Sequence, residues 1–309
     1  MLGKVLLSAS RSDRLRSLVQ NAPVSRGVVA RFIAGDRMDD AVRVARELTD
    51  AGLAVTVDHL GEDTVERAQA EAVTAEYLRL LDGLKNEGLT GSAEVSVKLS
   101  AVGLALPGDG ERIALDNARQ ICRAASDAGT TVTLDMEDHT TVDATLSILE
   151  VLRGDFPATG TAVQAYLYRT EADCRALAQS GCRVRLCKGA YNEPEGVAYQ
   201  STRDVDRSYV RCMKVLLSGD GYPMLATHDP RLIEIAGSLA ARNRREPGSY
   251  EYQMLYGARP DEQLRLARSG ETVRVYVPYG EEWYGYMMRR MAERPANLAF
   301  FLRSLASKK

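Results

Sequence analysis

The feature that most restricts the fold of this 309-residue chain is a rhythm. Short β-rich apolar runs alternate with longer segments of helical period. The strand candidates are 54–58, 94–99, 131–136, 161–167, 183–188, 223–227, 250–255 and 273–277. Between them, 64–87 carries Val65, Ala68, Ala72, Ala75, Leu78 and Leu81 at helical spacing. The segment 112–128 does the same with Ile113, Leu115, Ala118, Ile121 and Ala125. Segments 143–153, 171–179, 201–218, 230–242 and 261–268 follow suit. Glycines at 88, 129, 154, 181, 219 and 270 punctuate the helix ends.

Eight strands separated by helices favour a parallel sheet closed as a (β/α)₈ barrel. A doubly wound open sheet is the alternative, but no GxGxxG follows an early strand. The residues before 51 read as a helical arm, with Met38–Asp50 stopped by Gly52. Residues 51–309 read as the barrel, with a C-terminal helix over its mouth.

Composition excludes several classes. The chain is 45% hydrophobic with a net charge of −2, so no basic field calls for nucleic acid. No stretch reaches the length of a membrane span. The apolar run from Leu2 to Leu7 is short for a signal peptide, and Arg11, Asp13 and Arg14 follow it. Five cysteines (Cys122, Cys174, Cys182, Cys187, Cys212) form no CxxC pair and no zinc spacing. They read as small buried hydrophobes in a reducing cytoplasm.

A barrel puts its chemistry at the C-terminal strand ends. There the sequence has Asp58-His59-Leu60-Gly61-Glu62, Lys98, Asp135-Met136-Glu137-Asp138-His139, Gln164, Arg185, Thr227-His228 and Tyr276. Lys98 and Arg185 are flanked by apolar strand residues. A buried cation needs an anion, and Asp135 on the neighbouring strand would serve Lys98. The acidic run at Asp135 could also hold a divalent cation, although only Asp135 and Glu137 would converge on one face. Near the C-terminus Arg289-Arg290 interrupts an aromatic and Met-rich segment. A guanidinium pair there suits a small carboxylate; a solvated helix face is the plainer reading.

From about Arg31 to Leu305 the chain resembles the proline dehydrogenases, and the likeness preserves order. It rests on Asp58-His59-Leu60-Gly61-Glu62, Val97-Lys98-Leu99, Leu134-Asp135-Met136-Glu137, Gln164-Ala165-Tyr166 and Arg185-Leu186-Cys187-Lys188-Gly189-Ala190-Tyr191. It continues through Ala226-Thr227-His228, Tyr252-Gln253-Met254-Leu255, Val275-Tyr276-Val277-Pro278 and Arg289-Arg290…Glu293.

The resemblance implies FAD-dependent oxidation of L-proline to Δ1-pyrroline-5-carboxylate, by hydride transfer to flavin N5, with a quinone as final acceptor. It implies that Lys98, Arg289 and Arg290 hold the substrate carboxylate. Tyr276, Tyr191 and Leu255 would wall the ring, and Asp135 would orient Lys98 and the tyrosines. Glu62 would gate the site through Arg289. Arg185 would lie near flavin N5, with Gln164, Lys188, Gly189, Ala190, Thr227, His228 and Glu293 as further cofactor contacts and no metal ligand. Asn192 departs from the family, which often has an aromatic there. The resemblance also implies a cytoplasmic protein, with peripheral contact at the inner membrane face left open. Pyrroline-5-carboxylate dehydrogenase would be its pathway neighbour. Rival readings are a flavin barrel of the methylenetetrahydrofolate reductase type, a metal-dependent barrel and a non-catalytic binding barrel.

Overall fold

The computed structural model describes residues 25–293, with side chains from 29 to 289. The readings made for the extreme N-terminus and for the side chains of Arg290 and Glu293 lie outside those bounds.

Helices α1 (Ser25–Phe32) and α2 (Met38–Asp50) precede the barrel. The alternation then runs β1 (Ala54–His59), α3 (Arg67–Asn86), β2 (Ala93–Val97), α4 (Gly110–Ala128), β3 (Val132–Leu134), α5 (Val142–Asp155), β4 (Gly160–Gln164) and α6 (Thr170–Gln179). It continues β5 (Arg183–Cys187), α7 (Thr202–Ser218), β6 (Tyr222–Ala226), α8 (Pro230–Arg242), β7 (Glu251–Leu255), α9 (Pro260–Arg268), β8 (Val273–Tyr279) and α10 (Trp283–Glu293). All neighbouring strands are parallel, and β8 returns to pair with β1, closing the barrel in strand order 1 to 8.

The strands expected from sequence are all present, several cut short. β2 ends at Val97 because the Lys98 carbonyl starts a tight turn, accepting from the Ala101 N–H. β4 ends at Gln164 because Leu167 N–H folds back onto the Gln164 carbonyl. Gly154 does not end a helix; α5 runs past it to Asp155.

The helices form where the apolar period was read, but in α3 the buried face is not the one that period named: Ala68 and Ala72 are exposed, and Val65 lies before the helix. In α3, Ala70, Thr74, Tyr77, Leu80, Leu81 and Leu84 form one buried stripe. Each fully buried leucine is worth roughly 1.5–3 kcal/mol. Their partners are the outward strand residues, among them Val55, Val57, Val95 and Val97. Tyr77 adds a polar stitch: its hydroxyl donates to the Ser96 carbonyl at 2.7 Å and accepts from His59 N–H.

The inward strand residues are different. Such barrels are usually filled by branched apolar side chains, yet this one is filled low down by charge. Glu94 accepts from Arg183 (2.7 Å), Thr56 (2.9 Å) and Thr133 (3.1 Å). Glu251 accepts from Arg274 (2.8 Å), Gln253 (2.5 Å) and Tyr222 (3.1 Å). The Arg274 guanidinium reaches on to the Val55 carbonyl. Both carboxylates are buried, so each needs every partner it has.

A second apolar cluster joins α1 to α10. Phe32, Ile33, Leu60, Tyr284, Tyr286, Met287 and Met288 pack together, with Tyr276 and Trp283 at the edge. This cluster seats α10 beside the loop after β1.

Candidate active site

Above the charged filling lies a layer built from the ends of β1, β2, β3, β5 and β8. The Lys98 ammonium donates to both oxygens of Asp58, at 2.7 and 2.8 Å. It lies 3.4 Å from Asp135 Oδ2 and 3.4 Å from the Tyr276 hydroxyl. The expected pairing of Lys98 with Asp135 is present, and Asp58 is a second and nearer partner that the sequence reading did not name. Asp58 and Lys98 share an inward face across the β1–β2 pairing, whereas Asp135 is drawn to Arg185.

Burial alone would lower the Lys98 pKa, but Asp58 and Asp135 more than reverse this and raise it. Burial pushes Asp58 up to about 6 against the pull of Lys98, and it stays ionised at neutral pH. Asp135 is held below the usual carboxylate range: burial opposes this, but Lys98 and Arg185 outweigh it.

Arg185 is buried and nearly saturated. Its Nε donates to Gln253 (2.6 Å), and Nη1 donates to Ser96 Oγ (2.7 Å) and Asp135 Oδ1 (2.5 Å). Its Nη2 is buried with no hydrogen-bond partner, 3.8 Å from Glu94 Oε1. The Tyr276 hydroxyl donates to Asp135 Oδ2 at 2.6 Å, and the Arg185 guanidinium lies 5.2 Å from the Tyr276 ring centre. One carboxylate thus ties a lysine, an arginine and a tyrosine into one floor.

The roof comes from α10. Arg289 donates Nη1 to Glu62 Oε2 at 3.1 Å and Nη2 to Glu62 Oε1. Its guanidinium lies 5.5 Å from the Tyr191 ring centre. Tyr191 N–H donates to the Tyr166 hydroxyl, which donates to Gln164 Oε1 at 3.2 Å.

On the β5–β7 side the mouth is rimmed by half-buried Cys187, Lys188, Gly189, Ala190, His228 and Leu255. Cys187 is thus not the buried filler expected, although the other four cysteines are buried. Gly189 has φ +115, and a Cβ there would lie 2.5 Å from the Tyr166 ring, so only glycine fits. Lys188 pairs with Asp206 at 2.6 Å. Thr227 Oγ1 accepts from Asp229 N–H, and His228 Nε2 accepts from Leu255 N–H at 2.9 Å. Gln164 donates to the Glu137 carbonyl at 2.7 Å.

The acidic run after β3 disperses. Glu137 takes both its bonds from Ser100, and burial pushes its carboxyl up to about 7. His139 bonds Glu193 through both its backbone N–H and its ring. Among the described residues no three His, Cys, Asp or Glu side chains converge as metal ligands.

Asp58 and Gln253 were quoted from sequence without a role, and Ser96, Ser100 and Glu193 were not picked out at all. Asp58 had a usable signal: it alternates with Thr56 exactly as Lys98 does with Ser96. Glu193 had none, because a loop residue has no period.

Fold and floor together define a (β/α)₈ barrel with a buried lysine and a buried guanidinium at the C-terminal ends of its strands. The proline dehydrogenase family model matches residues 41–303. Proline dehydrogenase 1 of Bacillus subtilis subsp. natto is 37% identical over the full length of both chains. Proline dehydrogenase of Deinococcus radiodurans is 39% identical over 89% of each. Among solved structures, proline utilization A from Bdellovibrio bacteriovorus inactivated by N-propargylglycine superposes with a TM-score of 0.82 at 26% identity. That match covers 92% of this chain and 34% of the longer one. The chain belongs to the proline dehydrogenase family. It oxidises L-proline to Δ1-pyrroline-5-carboxylate, and its cofactor is FAD. The residues present fit such a group: the buried Arg185 guanidinium keeps one N–H without a hydrogen-bond acceptor.

Proposed function

We propose that Lys98, Arg289 and Arg290 receive the proline carboxylate between the floor and α10, with Tyr276, Tyr191 and Leu255 around the ring. The observation that carries this reading is a pair of cations each held by carboxylates: Lys98 by Asp58 and Asp135, and Arg289 by Glu62. Guanidinium and ammonium groups already ordered by carboxylates lose little freedom when a substrate carboxylate arrives.

Each remaining step falls to residues of this chain. Asp135 holds Lys98, Arg185 and Tyr276 in one geometry, so it acts by orientation and not by proton transfer. The Glu62–Arg289 pair shuts the mouth and excludes water. In that dry site the substrate ammonium loses its proton more readily, which frees the nitrogen lone pair to form the C=N bond as hydride leaves the adjacent ring carbon. FAD supplies the acceptor for that hydride at N5. Arg185 would stabilise negative charge gained there. Gln164, Lys188, Gly189, Ala190, Thr227, His228 and Glu293 are assigned to the cofactor by the family resemblance.

A quinone is the proposed final acceptor, and the cytoplasm, with peripheral contact at the membrane, the proposed location. Among the described residues no helix is long and apolar enough to cross a membrane.

The test is the visible spectrum of the purified holoprotein, with L-proline added anaerobically. Bleaching of the flavin band by proline, lost in Arg289→Met and Lys98→Met at the same proline concentration, is the expected result. Unimpaired bleaching in both variants would remove the carboxylate assignment.

A further inference from the structure

Glu62 is carried by the loop between β1 and α3, and the attachments of that loop converge on one residue. Leu60 N–H still bonds the β8 side, at the Tyr279 carbonyl. Beyond it, Asp63 N–H donates to Ser100 Oγ at 3.0 Å. Thr64 donates to the Ser100 carbonyl twice, from its N–H at 3.2 Å and from its hydroxyl at 2.9 Å. Val65 and Glu66 then bond Gln69, inside the loop's own helix. Asp63 sits at φ +54, a conformation that non-glycine residues hold only when neighbours impose it.

Ser100 is buried in the single turn after β2, and Glu137 holds it there. One carboxylate oxygen accepts the Ser100 N–H at 3.0 Å, and the other accepts the Ser100 hydroxyl. That second bond fixes the hydroxyl's direction. Its one proton points to Glu137, so a lone pair faces Asp63 N–H. Glu137 is itself buried, and the reaction as described gives it no task.

We propose that Ser100 and Glu137 form a buried anchor that sets the β1–α3 loop so that Glu62 reaches Arg289. They are positioning residues for the gate and touch neither substrate nor cofactor. The inference rests on the reading of Glu62–Arg289 as the closure of the substrate site.

Three variants test it: Ser100→Ala, Glu137→Gln and, on the loop itself, Thr64→Val, which cannot disturb the barrel's filling. Two measurements are made on the FAD-loaded enzyme: hydrogen exchange of the peptide covering residues 60–66, and KM and kcat for L-proline. Each lost hydrogen bond should speed loop exchange about five-fold, with the barrel strands unchanged. kcat/KM should fall by a similar factor. In a double-mutant cycle, Ser100→Ala should add nothing to Glu62→Gln.

Unchanged loop exchange in Ser100→Ala and Glu137→Gln would overturn the anchor. So would kcat/KM effects of Ser100→Ala and Glu62→Gln that multiply in full. A third result separates the two claims: faster loop exchange in Ser100→Ala with wild-type KM and kcat in Glu62→Gln. That result defeats the gate reading, and the positioning role falls with it.

Discussion

Asp58 shows how much rests on one side chain. It is fully buried, and it is the nearest counter-charge to Lys98. Removing one member of a buried pair costs about 3–5 kcal/mol, because the other charge stays behind unpaired. Asp58→Asn should therefore lose about that much stability in urea unfolding and raise KM for proline as well. A variant with normal KM would mean that Lys98 does not depend on Asp58 for its place. Gly189→Ala makes a different point. The added methyl meets the Tyr166 ring at 2.5 Å from a backbone angle alanine avoids, so roughly 1–3 kcal/mol of strain is expected. Thermal unfolding with and without FAD measures it; the same melting temperature in both enzymes would show that the rim does not need glycine.

Among the elements, α7 has an unusual ending. Arg245, from the loop after α8, donates to the carbonyls of Leu216 (3.2 Å), Leu217 (2.9 Å), Gly219 and Gly221 (3.1 Å). One guanidinium thus caps the helix terminus that leads into β6. Arg245→Ala should cost about 2 kcal/mol in chemical denaturation, with Arg245→Lys recovering less than half, because an ammonium cannot span those carbonyls. Equal losses in the two variants would show that shape, not the fork of donors, matters there. Elements of this kind were legible in the chain as far as period reaches. Met38–Asp50 and Pro230–Arg242 could be bounded correctly because a helix announces itself through spacing and its ends through Gly, Asp and Pro. Period could also say that Lys98 and Arg185 face inward. It could not say whom they meet, because partners across a barrel come from strands far apart in sequence. Lys98 was matched with Asp135, which it does meet, but its nearer partner Asp58 on the other neighbouring strand was not named, and Arg245 drew no attention at all.

For the whole molecule the relevant fact is that the barrel's filling is a closed set of charges. Glu94 and Glu251 are met by Arg183, Arg185 and Arg274, and the most exposed of the three, Arg183, keeps only 20% of its side chain in water. Glu94→Gln should cost about 3–5 kcal/mol, and Arg183→Met in the same chain should give part of it back. Losses that simply add in the double variant would show that the two act independently. The lower layer bears on the site, since Gln253 bonds Glu251 on one side and Arg185 on the other. None of this was read from sequence, where Glu94, Glu251 and Arg274 look like ordinary strand polarity.

The seam of the barrel has a consequence in time. β1 pairs with β8 along six residues, from Ala54 with Arg274 to His59 with Tyr279. A ribosome delivers β1 first and β8 last, so β1 must wait with one edge unpaired while nearly the whole chain is made. Lys98, Asp58 and Asp135 are all synthesised early, yet Tyr276 arrives on the final strand and Arg289 after it. If Tyr276 and Arg289 hold proline as proposed, the nascent chain has most of the machinery and still no grip on proline until closure, which makes binding a report on the last step of folding.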